Sequence, residues 1–251
     1  MQVAQPTVAA APIPPDCAPA TERQVTLRLL NGFELRSNGE RVAVPLPGQR
    51  LLAFLALQVQ PVLRPYVAGV LWLNSSEEHA AASLRSALWR LRRPGFDLVE
   101  SNSQTLSLAA GVDVDVRHAV AWAQRIATSD TALDPSDLEW APSFGELLPD
   151  WYDDWLMFER ERIRQLGLHA LDRLCERLTG EGRYAEALDI GLAAVRCEPL
   201  RASAHRAVIQ VHLAEGNRAE AVRQFRIFAR VLQEQLGSAP PADVEALVAR
   251  I

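Results

Sequence analysis

The chain has 251 residues, enough for two ordinary domains, and 49% hydrophobic with 23% charged residues is a globular balance. A net charge of −5 excludes a protein that coats nucleic acid indiscriminately, and no apolar run reaches the length needed to span a bilayer. All 26 permanently basic residues are arginine, so every chemistry that needs a P-loop, Schiff-base or kinase-type lysine is excluded as well.

Met1 to Arg23 is rich in alanine and proline and is expected to be a disordered arm. It has neither the basic start nor the unbroken apolar core of a signal peptide, nor a lipoprotein cleavage site around Cys17, and a cytoplasmic protein is expected. From Gln24 the pattern alternates through Val25, Leu27 and Leu29, then Phe33 and Leu35, then Val42 and Val44. Asn31-Gly32 and Asn38-Gly39 supply turns between three short antiparallel strands.

Pro45 to Gly48 interrupts the sheet, and Gln49 to Val59 reads as an apolar helix. Pro61 ends it, and Pro65 opens a second helix through Val70, Leu71 and Trp72. The third helix runs from Glu77 to Arg93, with Ser75 and Glu78 as a capping box and Pro94-Gly95 as its stop. Its periodicity places Ala81, Leu84, Leu88 and Leu91 on a packing stripe, with His79, Ala82, Ser86, Arg90 and Arg93 roughly opposite. Asp97 to Glu100 and Gln104 to Leu108 then read as two strands joined by a polar turn. Three helices followed by a hairpin make a winged helix-turn-helix, given a larger core by the sheet that precedes it.

In that architecture the third helix is presented to the major groove. The small residues Ala82, Ser83 and Ser86 would admit a close approach, Arg90 and Arg93 would meet bases or phosphates, and Ser86 could reach either. Arg85 and Arg92 flank the helix as backbone contacts, and His79 near the helix start could reach a phosphate. Trp89 is expected to pack against the wing, with a sugar or a thymine methyl as its alternative partner. The plain alternative is a surface helix with solvated arginines. Charge along the chain argues against it: Gln24 to Arg117 holds 10 arginines and 8 acids, His118 to Ile251 holds 15 and 21.

Val25 to Arg36 (VTLRLLNGFELR), Gly48 to Ala53 (GQRLLA), Leu71-Trp72 and Leu84 to Arg93 together resemble the DNA-binding domain of the Streptomyces antibiotic regulatory proteins. That domain is itself similar to the effector domain of OmpR-type response regulators. The resemblance implies a transcriptional activator that binds direct repeats in promoter DNA. Ala81 stands where relatives often carry arginine, and the wing has Glu100 and Asn102 in place of the usual glycine and aromatic residue.

The second half is helical. Glu181-Gly182 to Ala187 recurs as Glu215-Gly216 to Ala221, an offset of 34 residues and the period of tetratricopeptide helix pairs. Leu171, Leu174, Ala187, Ala194 and Pro199 take the packing positions of one unit, and Val208, Ala221 and Phe225 those of the next. Before them, Trp151, Tyr152, Trp155 and Phe158 lead into a long amphipathic helix ending near Leu178 and are expected to be core, with a ligand pocket as the alternative. Arg201 to Asn217 resembles the bacterial transcriptional activator domain that follows the DNA-binding domain in the same family.

His205 and His212 share a helix face without a third ligand, and Cys175 and Cys197 lie on different helices in no CxxC motif, so all four read as structural. Asp113 with Asp115 and Asp153 with Asp154 fit a strand exit and a helix start. The expected protein is mainly α with a small β component: an arm over 1–23, an OmpR-like winged helix with an N-terminal antiparallel sheet over 24–116, and an all-α tetratricopeptide-like domain over 117–251. Its expected partners are double-stranded promoter DNA, a second protomer through the helical domain and, by the resemblance, RNA polymerase holoenzyme. Neither enzyme activity, cofactor, metal nor membrane is expected. The rival functions are a helical-repeat adaptor and a ligand-sensing repressor.

Overall fold

The structure is a computed structural model that describes residues 24–92, 97–129, 132–140 and 145–249. The expected arm, Cys17, Arg93 and the Pro94-Gly95 stop lie outside the described residues, while the third helix ends at Leu91 with extended backbone at Arg92, two residues before the expected end at Arg93.

The N-terminal unit opens with β1 (Val25–Arg28), β2 (Glu34–Ser37) and β3 (Glu40–Arg41), antiparallel as the alternation predicts and with Leu27 opposite Leu35. Both turns use Asn-Gly pairs with positive φ, at Asn31 and Gly32 and at Asn38 and Gly39, which only such residues adopt readily. A fourth strand, β7 (Val112–Val114), pairs in parallel with β1, giving the order β3-β2-β1-β7. Three residues of alternating Val-Asp-Val cannot announce such a partner, because the pairing is set by chain return and not by local pattern. At its end the Asp115 carboxylate accepts from the backbone N–H of Leu29 (2.9 Å), Leu30 (3.1 Å) and Val116 (2.6 Å). Burial nonetheless holds its pKa above the usual carboxylate value.

Helix α1 (Leu46–Leu57) packs Leu51, Leu52, Phe54 and Leu55 into the core. It starts three residues before Gln49 because Pro47 falls in the first turn, where no backbone donor is needed. Strand β4 (Val62–Leu63) leads directly into α2 (Arg64–Leu71), and α3 (Glu77–Leu91) follows. Strands β5 (Val99–Ser101) and β6 (Thr105–Leu108) form the wing, which the two residues of β4 extend to the order β4-β6-β5.

The helical half comprises α4 (Asp115–Thr128), α5 (Pro135–Trp140), α6 (Asp154–Gly180), α7 (Tyr184–Cys197), α8 (Ala202–Glu215), α9 (Arg218–Leu236) and α10 (Ala242–Val248). Gly182 and Gly216, 34 residues apart, both adopt left-handed backbone (φ 74° and 88°) and end α6 and α8 at equivalent steps of the repeat. Leu171, Leu174, Ala187, Ala194, Val208 and Ala221 are buried as the repeat predicts. Phe225 is only partly buried. One turn further on, Phe228 is the fully buried ring, because α9 turns that position toward α8 and α10.

His205 lies in the second repeat with its ring stacked on Phe228 (centroids 4.3 Å apart), one ring nitrogen on the Pro199 carbonyl and the other on the Gln224 amide, each at 3.0 Å. Burial lowers its pKa, so the ring is held neutral. The Cys175 thiol, pushed up to about 12 by burial, sits against the Ala187 carbonyl.

The two halves share a core. Leu147, Leu148, Leu156 and Ile163 are buried in the same cluster as the sheet and α1 to α3. Leu30 bridges to Leu147, Asn31 N–H donates to the Glu146 carbonyl, and the Arg160 guanidinium caps the carbonyls of Leu147, Leu148 and Trp151. Trp151 stacks on Phe33, so that ring is core as expected. Tyr152 (90% exposed), in the segment before α6, and Phe158 (85% exposed), off the one face that the start of α6 buries, are not.

Candidate nucleic-acid interface

Helix α3 carries the candidate site, and its ends are set locally. Ser76, not Ser75, is the N-cap: its hydroxyl accepts from the His79 N–H (3.4 Å) and lies 2.7 Å from His79 Nδ1. Two adjacent serines offered equivalent caps, and the tertiary start of the helix selected the second. Glu77 and Glu78 follow in the first turn, where the helix dipole favours acids.

The buried stripe is Ala80, Leu84, Ala87 and Leu91. This rotates the helix from the expected phase: Ala81 and Leu88 are half-buried at the edge of the stripe. Two stripes of small and aliphatic residues lie side by side in this sequence, and the alanines won because α2 and α1 approach closely there. Helical geometry then puts Glu78, Ala82, Ser86 and Trp89 at the centre of the outward face, with Arg85 and Arg92 on one flank and Arg90 on the other. Trp89 is therefore not packed on the wing as expected; it is 74% exposed. Ser83 is half-buried on the Arg90 side, and His79 is exposed in the first turn.

The side chains of Arg85, Arg90 and Arg92 make no hydrogen bond or ion pair among the described residues. In the helical half Arg125 is held by Asp137, Arg164 by Glu161 and Glu198, Arg183 by Glu186 and Arg201 by Asp172, while the side chains of Arg196 on α7 and of Arg218, Arg226 and Arg230 on α9 are also unpaired among the described residues. Unpaired guanidiniums on a helix of small residues can meet phosphate oxygens or base edges without first giving up a carboxylate.

Between α3 and the wing runs an open trough of about 1150 Å³ with Arg64, Arg85, Trp89 and Arg92 along it. Arg64, which no pattern in the sequence singled out, sits where wing, α2 and α3 meet. Its Nη1 donates to Ser101 Oγ (2.8 Å) and the Asn102 carbonyl (3.3 Å), and its N–H donates to the Gln104 carbonyl (2.9 Å). A lone arginine before a proline carries no sequence signal; its role comes from β4 pairing with β6. The Asn102 side chain closes the wing turn by accepting from the N–H groups of Gln104 and Thr105. The Glu100 carboxylate accepts from the Ala110 N–H (3.3 Å) and Ser107 Oγ (3.5 Å), and Val99 to Leu108 contains no arginine.

Among the described residues, no group of three or more His, Cys, Asp and Glu side chains is placed to hold a metal ion, and no helix is long and apolar enough to cross a membrane.

Residues 108–251 match the bacterial transcriptional activator domain. The fold is similar to that of EmbR of Mycobacterium tuberculosis, solved in complex with a low affinity phosphopeptide, with a TM-score of 0.62 and 18% identity over 91% of this chain. The chain spans 65% of the length of that protein. No curated protein matches the sequence.

Proposed function

We propose, from the premise that the chain belongs to the bacterial transcriptional activator domain family, as a regulator of the Streptomyces antibiotic regulatory protein type, that it activates transcription by reading promoter DNA with α3. The observation that carries this reading is the set of three unpaired guanidiniums, Arg85, Arg90 and Arg92, on the exposed face of the third helix of a winged helix-turn-helix. In the major groove, Ser86 and Trp89 on that face would meet base edges, and Arg93, which lies outside the described residues, is proposed to meet a base or phosphate as well. Arg85, Arg90 and Arg92 would lie over the flanking phosphates, and His79 and Ser83 would border the contact.

The winged helix over 24–116 selects direct repeats in cytoplasmic promoter DNA, and the helical domain over 117–251 joins two protomers and contacts RNA polymerase holoenzyme. The regulated genes belong to one secondary-metabolic pathway, and the chain performs no catalysis of its own.

The test is binding of the full chain to random-sequence duplex DNA across a salt series. Neutralising several phosphates with arginine predicts an affinity that falls on the order of tenfold or more over a roughly fourfold rise in salt. An affinity that stays flat over that range defeats the DNA reading.

A further inference from the structure

We infer that Trp89 is a specificity-determining residue that reads the C5 methyl group of a thymine, an inference that rests on the DNA reading of α3. Of the described tryptophans, Trp72, Trp122, Trp151 and Trp155 are buried or half-buried, whereas Trp89 is 74% exposed. A large apolar ring left in water costs free energy that burial would recover, and exposed aromatics of this kind mark contact surfaces.

Its position narrows what can cover it. The buried stripe of Ala80, Leu84, Ala87 and Leu91 lies across the helix from Trp89, so the residue stands on the outward side of α3, at the edge of the trough beside the wing. Ser86 and Ala82, one and two turns before it on the same face, are too small to hold the helix off an opposing surface. The guanidiniums of Arg85 and Arg92 stand on its wing side, where the trough opens, and Arg90 on the other. Phosphates held by these arginines on both flanks would bring the indole to the groove floor, away from the sugars of the groove walls.

On the floor of the major groove, base edges present donors and acceptors and a single apolar group, the thymine methyl. The indole matches that group with its ring, and its Nε1–H remains able to donate to a neighbouring acceptor such as thymine O4 or guanine O6.

The test uses the full chain and duplexes retained from a random-sequence pool. Each thymine of a retained duplex is replaced in turn by deoxyuridine, which removes the methyl and leaves the hydrogen-bonding edge intact. The expected result is an affinity loss of about fourfold at one position in the repeat and little elsewhere. Trp89→Ala should melt within a few degrees of the parent, bind more weakly, and respond equally to thymine and uracil at that position; Trp89→Phe should keep part of the discrimination. If duplexes are retained but no thymine is sensitive, or the sensitivity persists in Trp89→Ala, the methyl contact is overturned while the DNA reading stands. If no duplex is retained at any salt, the DNA reading itself falls and the methyl contact with it.

Discussion

The rings of Phe54 on α1 and Trp155 on α6 meet edge to face, with centroids 5.3 Å apart and planes at 81°. Phe54 belongs to the helix that supports α3, and Trp155 to the helix that begins the repeats. Beside them, Arg50 and Asp153 form an ion pair across the same junction.

Trp155→Ala is therefore expected to destabilise the winged helix although it lies outside it. Trp155 is half-buried, so the cost should be about 2 kcal/mol, below that of a fully buried aromatic. Hydrogen exchange at the amides of Leu51 to Leu55 should quicken with it. Unchanged exchange there would mean that the junction does not support α1.

The rotated phase of α3 makes Leu84→Ala and Arg90→Ala fail differently. Leu84 is buried, and its truncation should cost about 2 to 5 kcal/mol, enough to lose DNA binding through unfolding. Leu88→Ala, at the edge of the stripe, should cost less. Arg90→Ala should change stability by about 0.5 kcal/mol or less and lower affinity equally on specific and scrambled duplexes, with the salt slope reduced by roughly one unit. Thermal melts and binding isotherms on all three variants check the order. A destabilisation by Arg90→Ala equal to that of Leu84→Ala would refute the phase.

His205 gives the helical half a dependence on pH. Its folded pKa is lowered by burial, so the unfolded state binds the proton more readily. The stability it contributes is fully present above about pH 6.5, the value for an unperturbed histidine, and is lost as pH falls from there toward the lowered folded pKa. The melting temperature should fall between pH 7 and pH 5. His205→Gln, which keeps polar capacity but not the proton or the stack on Phe228, should be less stable at pH 7 and flatter below it. A parent whose melting temperature is constant over that range would contradict the buried neutral ring.

A Cβ at Gly191 would come within 2.8 Å of Val208 Cγ2 and 3.2 Å of Cys175 Sγ. Gly191→Ala should thus force α7 from α6 and α8 and cost roughly 1 to 3 kcal/mol, despite the usual gain of alanine in a helix. Denaturant unfolding measures the balance. A variant more stable than the parent would show that Val208 and Cys175 have room to move.

Local pattern made much of this visible in the sequence. Asn-Gly turns, Pro65 at the start of α2 and the offset between Gly182 and Gly216 each act within a few residues, and each is where the pattern puts it; Pro47, read as part of a break before the helix, instead lies in the first turn of α1. Nonlocal pairing was hidden: β7 beside β1, β4 beside β6, and Leu147 to Ile163 inside the N-terminal core all depend on segments far apart in the chain. The candidate site fell between the two. Exposure of Arg85, Ser86 and Arg90 follows from periodicity alone. The outward turn of Trp89 does not, because Ala80 and Ala87 compete with Ala81 and Leu88 for the core, and only the depth of α1 and α2 beneath them decides it.

Helix α6 is a single rod of 27 residues, about 40 Å long by its rise per residue. Leu156 and Ile163 anchor one end beneath the winged helix, and Leu171, Leu174 and Leu178 anchor the other in the first repeat. It acts as a ruler. In an assembly that joins two chains through their repeats, the gap between the two reading helices is a built-in length, so target sites would be recognised by their spacing as well as by their letters.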